Sequence, residues 1–182
     1  MIPSIDACFK FMDTYHMPPH IRAHSIMVEK IATLLAEALE KAGVSLSLEK
    51  VRAGALLHDI AKRLCLETGE DHSVKGREIC LLNSLDEIAE IVAEHVILKD
   101  YRPGGPITEK EIVYYSDKRV NHDTVVSLEK RLQYLLERYG QEKEHLNQAI
   151  MRNFERCKEL ERRIFTRLAF EPGELAGMIQ TQ

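Results

Sequence analysis

The chain predicts an all-α fold, and three observations predict it. Apolar residues recur at steps of three and four along most of its length, the period of a helix with one face on a core. Residues that start and stop helices stand where those stripes begin and end. No β-rich alternating run, internal repeat or low-complexity tract interrupts the pattern.

The elements follow in order. Ile5, Cys8, Phe9 and Met12 keep helical spacing after Pro3, a suitable first-turn residue. Met17-Pro18-Pro19 breaks the chain, and Pro19 can open a second helix striped by Ile26, Ile31, Leu34, Leu35, Ala38 and Leu39. Gly43 suits a left-handed stop. Ser47 is the expected N-cap of a third helix, with Lys50 at its third helical position, that runs through Val51 and Ala55-Leu56-Leu57 to Lys62. Thr68 to Ser73 reads as a loop, with helical spacing resuming from Val74 to Asn83 and from Leu85 to Val96. The Tyr101–Pro106 segment, with two glycines and two prolines, is a loop. A further helix is predicted from Thr108, where Glu111 completes a capping box. Beyond His122-Asp123, Val125, Leu128, Leu132, Leu135 and Tyr139 continue helically to Gly140.

From Gln141 to about Leu168 one stripe (Leu146, Ile150, Phe154, Cys157, Leu160, Ile164, Leu168) marks a long C-terminal amphipathic helix. The expected organisation is a domain over residues 1–140 and a helical extension over 141–182. The stripe fits two roles, docking on its own domain or forming a homo-oligomer through the C-terminal helix.

With 182 residues the chain can bury one complete core. Its net charge of −4 announces no general nucleic-acid surface, and Arg152, Arg156, Arg162, Arg163 and Arg167 alternate with glutamates as a solvated helix face would. Cys8, Cys65, Cys80 and Cys157 form no C-x-x-C pair and read as idle thiols of a reducing compartment. Asp6, Lys10 and Asp13 interrupt any signal-peptide core, and no apolar run approaches the ~20 residues that cross a bilayer. The expectation is a soluble, cytoplasmic protein with no membrane partner.

Among eight histidines, four stand out together with two aspartates: His24, the pair His58-Asp59, His72, His95 and Asp117. A lone histidine on a helix is more often structural than a ligand. The combination carries the weight, because imidazole with carboxylate suits a divalent transition metal such as Fe, Mn, Co, Ni or Zn. Neighbours on a helix diverge by about 100°, so His58 and Asp59 can flank an ion held inside a bundle. Asp59, with two oxygens, can bridge a second ion. Helix bundles hold such ligands on facing helices.

In their order, His24, His58-Asp59 and Asp117 resemble the HD superfamily of metal-dependent phosphohydrolases. Leu56-Leu57-His58-Asp59-Ile60-Ala61-Lys62 is similar to the family's leucine-leucine-histidine-aspartate-isoleucine-glycine-lysine, with Ala61 in place of glycine. His72-Ser73-Val74-Lys75-Gly76 resembles the histidine, three residues, glycine motif of the binuclear branch, and Ile91–His95 resembles its next ligand helix. The likeness spans roughly residues 20–135. It implies an HD-domain helical bundle in which His24, His58, Asp59 and Asp117 hold one metal ion, while Asp59, His72 and His95 hold a second. Mononuclear members lack the counterpart of His72, so one ion or two stays open at this point. Two ions about 3.5–4 Å apart clamp a phosphate oxygen and activate water.

The catalytic candidates are therefore Asp59 and Lys62, the latter one turn beyond His58. Lys62, Lys118 and Arg119 are the expected substrate-binding cations, although Arg119 could equally pair with a carboxylate. His20 reads as a surface residue, His122 as structural, and His16 and His145 as incidental. Departures from the family's branches narrow the substrate. Tyr101–Pro106 lacks the glycine-tyrosine-proline signature of cyclic-dinucleotide phosphodiesterases, and Lys62-Arg63 stands where alarmone hydrolases carry acidic residues. Symmetrical dinucleoside tetraphosphate hydrolases are nearer in spacing but carry threonine where this chain has Val96. The expectation is a hydrolase of a phosphoester, a nucleotide or other small phosphorylated molecule. The alternatives are that tetraphosphate hydrolysis, or a non-catalytic module that binds metal and a phosphorylated ligand.

Overall fold

Ser4 caps the first helix. Its Oγ accepts from the Ala7 amide at 3.2 Å, starting α1 (Ile5–Thr14), so Pro3 lies ahead of the cap rather than in the first turn. The computed structural model describes residues 1–140 and 144–180. Pro19 opens α2 (Pro19–Lys41) at a position whose N–H would have no helical partner. The stop is a Schellman turn: Gly43 takes φ +83°, its N–H donates to Glu40 O, and the Val44 N–H donates to Leu39 O, both at 2.9 Å. Ser47 caps α3 (Leu48–Leu57) through the Lys50 amide at 3.3 Å, and α3 lies along α2.

The third helix does not run on to Lys62 as its spacing predicts. It ends at Leu57, turns through His58-Asp59-Ile60-Ala61, and restarts as α4 (Lys62–Thr68). The His58 ring N–H occupies the Ala55 carbonyl at 2.7 Å, the acceptor that the Asp59 amide would use in a continuing helix. The turn instead closes by shorter i→i+3 bonds, Ile60 N–H to Leu57 O and Lys62 N–H to Asp59 O, both 3.0 Å. Apolar spacing alone cannot reveal a side chain that takes its own helix's carbonyl.

Asp71 caps α5 (His72–Leu82), two residues earlier than the apolar spacing predicts, and α6 (Asp86–Glu94) ends at His95. The two pack closely because Gly76 has no side chain: a Cβ there would stand 2.7 Å from Val92 Cγ1. Thr108 and Glu111 form the predicted capping box at the start of α7 (Glu109–Lys118), whose residues from Glu111 to Lys118 are all buried.

A small antiparallel hairpin follows, β1 (Val120–Asn121) with β2 (Thr124–Val125), turning on His122, whose φ is +55°. It is too short for alternation to announce it, and it replaces the helical continuation expected at Val125. Ser127 then caps α8 (Leu128–Tyr139).

The expected long helix is α9 (Glu144–Phe165); residues 141–143 of that expectation lie outside the described residues. It stops short of Leu168, before a 3₁₀ turn at Pro172–Glu174 and α10 (Leu175–Gln180). Phe154, Cys157, Leu160 and Ile164 join the same buried cluster as α2, α3 and α7. Tyr114 Oη donates to Asn153 Oδ1 at 2.8 Å, and Arg156 donates to Leu98 O at 2.6 Å. Of the two roles open to the stripe, this stretch takes the intramolecular one. Among the described residues no helix is long and apolar enough to cross a membrane.

Candidate metal centre

Five segments bring imidazoles and carboxylates to one point: His24 from the first third of α2, His58-Asp59 from the α3–α4 turn, Asp117 from the end of α7, His72 from the start of α5 and His95 from the end of α6. His24, His58 and Asp59 each offer a ligand atom within 4.8 Å of the others, and so do Asp59, His72 and His95. Asp59 is common to both groups. Its Oδ2 lies 3.5 Å from His58 Nε2, while its Oδ1 lies 3.3 Å from His72 Nε2 and 3.5 Å from His95 Nε2. Asp117 Oδ1 reaches the first group, 3.0 Å from His24 Nε2 and 3.7 Å from His58 Nε2.

The rings are oriented from behind. A backbone carbonyl only accepts, so each Nδ1 that meets one must carry the proton. His24 Nδ1–H donates to His122 O at 2.8 Å, His58 Nδ1–H to Ala55 O at 2.7 Å, and His95 Nδ1–H to Val92 O at 2.6 Å. The three Nε2 lone pairs are thereby left facing the centre, the arrangement that metal-ligating histidines use. His58 Nε2 and Asp59 Oδ1 are buried and have no hydrogen-bond partner among the described residues. Such orphaned atoms carry a desolvation cost of about 1–3 kcal/mol each, which coordination of a cation would relieve. The donor set of nitrogen and oxygen atoms fits a borderline divalent ion.

The lysines hold the outer oxygens. Lys62 Nζ donates to Asp59 Oδ2 at 2.7 Å, and Lys118 Nζ donates to Asp117 Oδ2 at 2.9 Å. Burial alone would raise the Asp59 carboxyl, but Lys62 and His58 hold it well below its usual range. Burial likewise opposes Asp117, and Lys118 and His24 hold it low. Burial would depress His58, yet Asp59 and Asp117 carry it above the ordinary imidazole value. His95, equally buried, is pushed down to about 4, with the neighbouring His58 charge adding to burial. Both aspartates are thus ionised and ready as ligands.

Above the centre lies a cleft of about 310 Å³, reached by Asp59, Lys62, His72, His95, Asp117 and Lys118 on its floor. A second cleft of about 200 Å³ shares Asp59 and Lys62 and opens between His24, His122 and α8. Lys118 is almost wholly buried in that floor, where its ammonium also donates to His95 O. Arg119 is not at either cleft. Its guanidinium donates to Val126 O, Tyr115 Oη, Glu161 and Pro172 O, tying the hairpin and α9 to α7. Of the roles read for Arg119, the structure favours pairing with a carboxylate over binding substrate, because Nε, Nη1 and Nη2 are all engaged by these partners. His20 is exposed at the mouth of the second cleft.

Sequence reasoning passed over Arg131, which lines both clefts and whose Nε is buried without a partner among the described residues. It also passed over Leu135, Leu146 and Ile150 as cleft residues. On helical spacing these look like ordinary stripe positions, and only the approach of α8 to α9 shows otherwise. The carbonyl of His122 was equally invisible, since a backbone ligand support leaves no mark on residue type.

Comparison with known proteins agrees with this geometry. The family model for the HD domain matches residues 21–122. The chain is 35% identical over 132 residues to the uncharacterized protein MJ0778 of Methanocaldococcus jannaschii, an alignment taking in 60% of this chain and 75% of that one. It is 33% identical over 104 residues to ribonuclease Y of Thermosipho melanesiensis, taking in 57% of this chain but 18% of the ribonuclease. No solved structure matches it. With more than half of its length matched, the chain belongs to the HD family, a superfamily of metal-dependent phosphohydrolases.

Proposed function

We propose that the protein hydrolyses the phosphoester of a small phosphorylated molecule, of the nucleotide class, at a centre of two divalent ions bridged by Asp59. The observation that supports it best is the division of Asp59, with Oδ2 toward His58 and Oδ1 toward His72 and His95. A carboxylate shared between two ligand groups is what a paired-ion site requires, and a structural helix bundle has no use for it. His24, His58, Asp59 and Asp117 would hold one ion; Asp59, His72 and His95 would hold the other. Bound there, the ions would supply Lewis-acid polarisation of a phosphoryl oxygen and a water acidified to near neutrality.

The chain's own groups do the rest. Lys62, part-exposed beside the cleft and held charged by Asp59 and Asp117 against the effect of burial, can shift from Asp59 to a phosphate oxygen. Lys118 keeps Asp117 ionised from below. The apolar side of the cleft limits bulk water around the reacting group.

The likeness to ribonuclease Y supports a second reading, an RNA phosphodiester. The small volume of the cleft, about 310 Å³, and the net charge of −4 favour the small substrate. The test is an assay of the Mn²⁺-loaded full chain against a generic phosphodiester, a nucleotide panel and single-stranded RNA. Hydrolysis of nucleotides that is lost in Asp59→Ala supports the proposal. Turnover of RNA alone supports the second reading, and bound metal without turnover of anything supports a non-catalytic module.

A further inference from the structure

The family match ends at residue 122, yet the cleft over the metal centre is walled by helices that come later in the chain. Leu135 of α8 and Leu146, Ile150 and Phe154 of α9 form one side, with Val96 completing it. Phe154 is fully buried and fixes α9 to the core, while Leu146 and Ile150 stay half-buried on the cleft face. Among the described residues the wall has one amide, Asn153, and it is already used: it accepts from Tyr114 Oη and donates to Val96 O. The wall therefore offers mainly apolar contact area; its other polar group is the half-exposed phenol of Tyr139, whose Oη accepts from Arg138 Nε at 3.3 Å.

At the other end two cations stand beside the carboxylates and imidazoles of the metal centre. Lys62 stands beside Asp59, and Arg131 of α8 lines the same cleft with its Nε buried and unpaired among the described residues. Arg131 Nη1 is tied to Asn121 Oδ1 at 2.9 Å, which anchors the guanidinium at the hairpin. An oriented guanidinium with a spare N–H suits a phosphoryl oxygen.

On the hydrolase reading above, we infer that α8 and α9 form the substrate-selecting half of the site: Arg131 with Lys62 grips the phosphoryl group, and the Leu135–Leu146–Ile150 wall takes a compact apolar or aromatic group joined to it. Selection is by shape and apolarity. A planar base would be accepted chiefly as a flat apolar body, with little preference among bases of similar size, because among the described residues Tyr139 Oη is the one wall group left to meet their edges.

The test uses non-hydrolysable probes, so that it does not depend on turnover. Phenylphosphonate and methylphosphonate are titrated calorimetrically into the Mn²⁺-loaded full chain. The expected result is phenylphosphonate binding about tenfold tighter or more, the scale of burying a small apolar group. That preference falls toward unity in Ile150→Gln and in Leu146→Gln, two half-buried positions whose folding is checked by thermal melting. Both probes weaken by a similar factor in Arg131→Met, which leaves their ratio intact. Equal affinity of the two probes, or an unchanged ratio in both wall variants, overturns the inference. A retained preference with no hydrolysis of any phosphoester contradicts the hydrolase reading and leaves the apolar wall standing.

Discussion

The carbonyl of His122 accepts the Nδ1–H of His24 across 98 positions of sequence, at 2.8 Å, and so decides which nitrogen of that ring faces the metal centre. The hairpin that carries His122 in a left-handed conformation is thus a support for a ligand on another element. The same device recurs at His58 and His95, each held by a carbonyl three residues earlier in the chain. In alkaline buffer with chelator, long-range nitrogen–proton NMR should find the rings of His24, His58 and His95 protonated at Nδ1. Protonation at Nε2 in these three rings would contradict the arrangement.

Gly76 sets the distance between the second pair of histidines. A Cβ at this position would meet Val92 Cγ1 at 2.7 Å, so Gly76→Val forces α5 away from α6 and carries His72 away from His95. Overpacking of this kind costs about 1–3 kcal/mol, readable by chemical denaturation. The specific expectation is a weaker second ion with the first retained, seen as a split in a metal titration. Loss of stability with both ions bound as before would show that the close approach serves packing alone.

Arg119 and Lys62 separate structure from function. Arg119 is buried against Glu161, so Arg119→Ala should cost about 3–5 kcal/mol of stability, as removing one partner of a buried pair does. Phosphonate affinity of the folded fraction should stay unchanged, because no Arg119 atom lines a cleft. Lys62→Met should do the reverse, lowering kcat by about a hundredfold, the scale for losing one preorganised electrostatic contact, with a small change in melting temperature. If both variants lose activity in proportion to stability, Arg119 is more than a structural tie and Lys62 is no phosphate contact.

The two buried histidines give the metal-free protein opposing pH responses. His95 is held down to about 4, chiefly by burial, against an unfolded value near 6.5. Its folded form refuses a proton that the unfolded chain accepts, so stability is full above about 6.5 and drains as pH falls toward about 4. His58 is raised, so its contribution is full below about 6.5 and is lost as pH rises through its folded value. Denaturation of chelated protein from mildly acid to mildly alkaline pH checks both. His95→Gln should flatten the acid-side decline, by an amount on the order of 3 kcal/mol across the window, and His58→Gln should flatten the decline above about 6.5. Equal slopes in both variants would contradict the assignment.

Much of the scaffold was legible in the sequence because its signals are local. Ser47, the Thr108–Glu111 box, Pro19 and Gly43 each act within one turn of where they stand. The His and Asp residues that converge were legible as a set, since their types match one chemistry and their order matches one family. What was not legible depends on contacts made by other parts of the chain. The break after Leu57 comes from the His58 ring taking the Ala55 carbonyl, and the hairpin at His122 has two residues per strand, too few for a period. Arg131, Leu135, Leu146 and Ile150 keep ordinary amphipathic spacing, so their place at the cleft depends on how α8 packs on α9 and α9 on α7.

Whether Asp59 joins two ions is tested most directly by metal stoichiometry. Elemental analysis of the full chain, purified without chelator and then saturated with Mn²⁺, should find two ions per chain. His72→Ala should hold one, and Asp59→Ala should lose the second and weaken the first. A wild-type chain that saturates at one ion, or an Asp59→Ala variant that still holds two, would contradict the bridged centre.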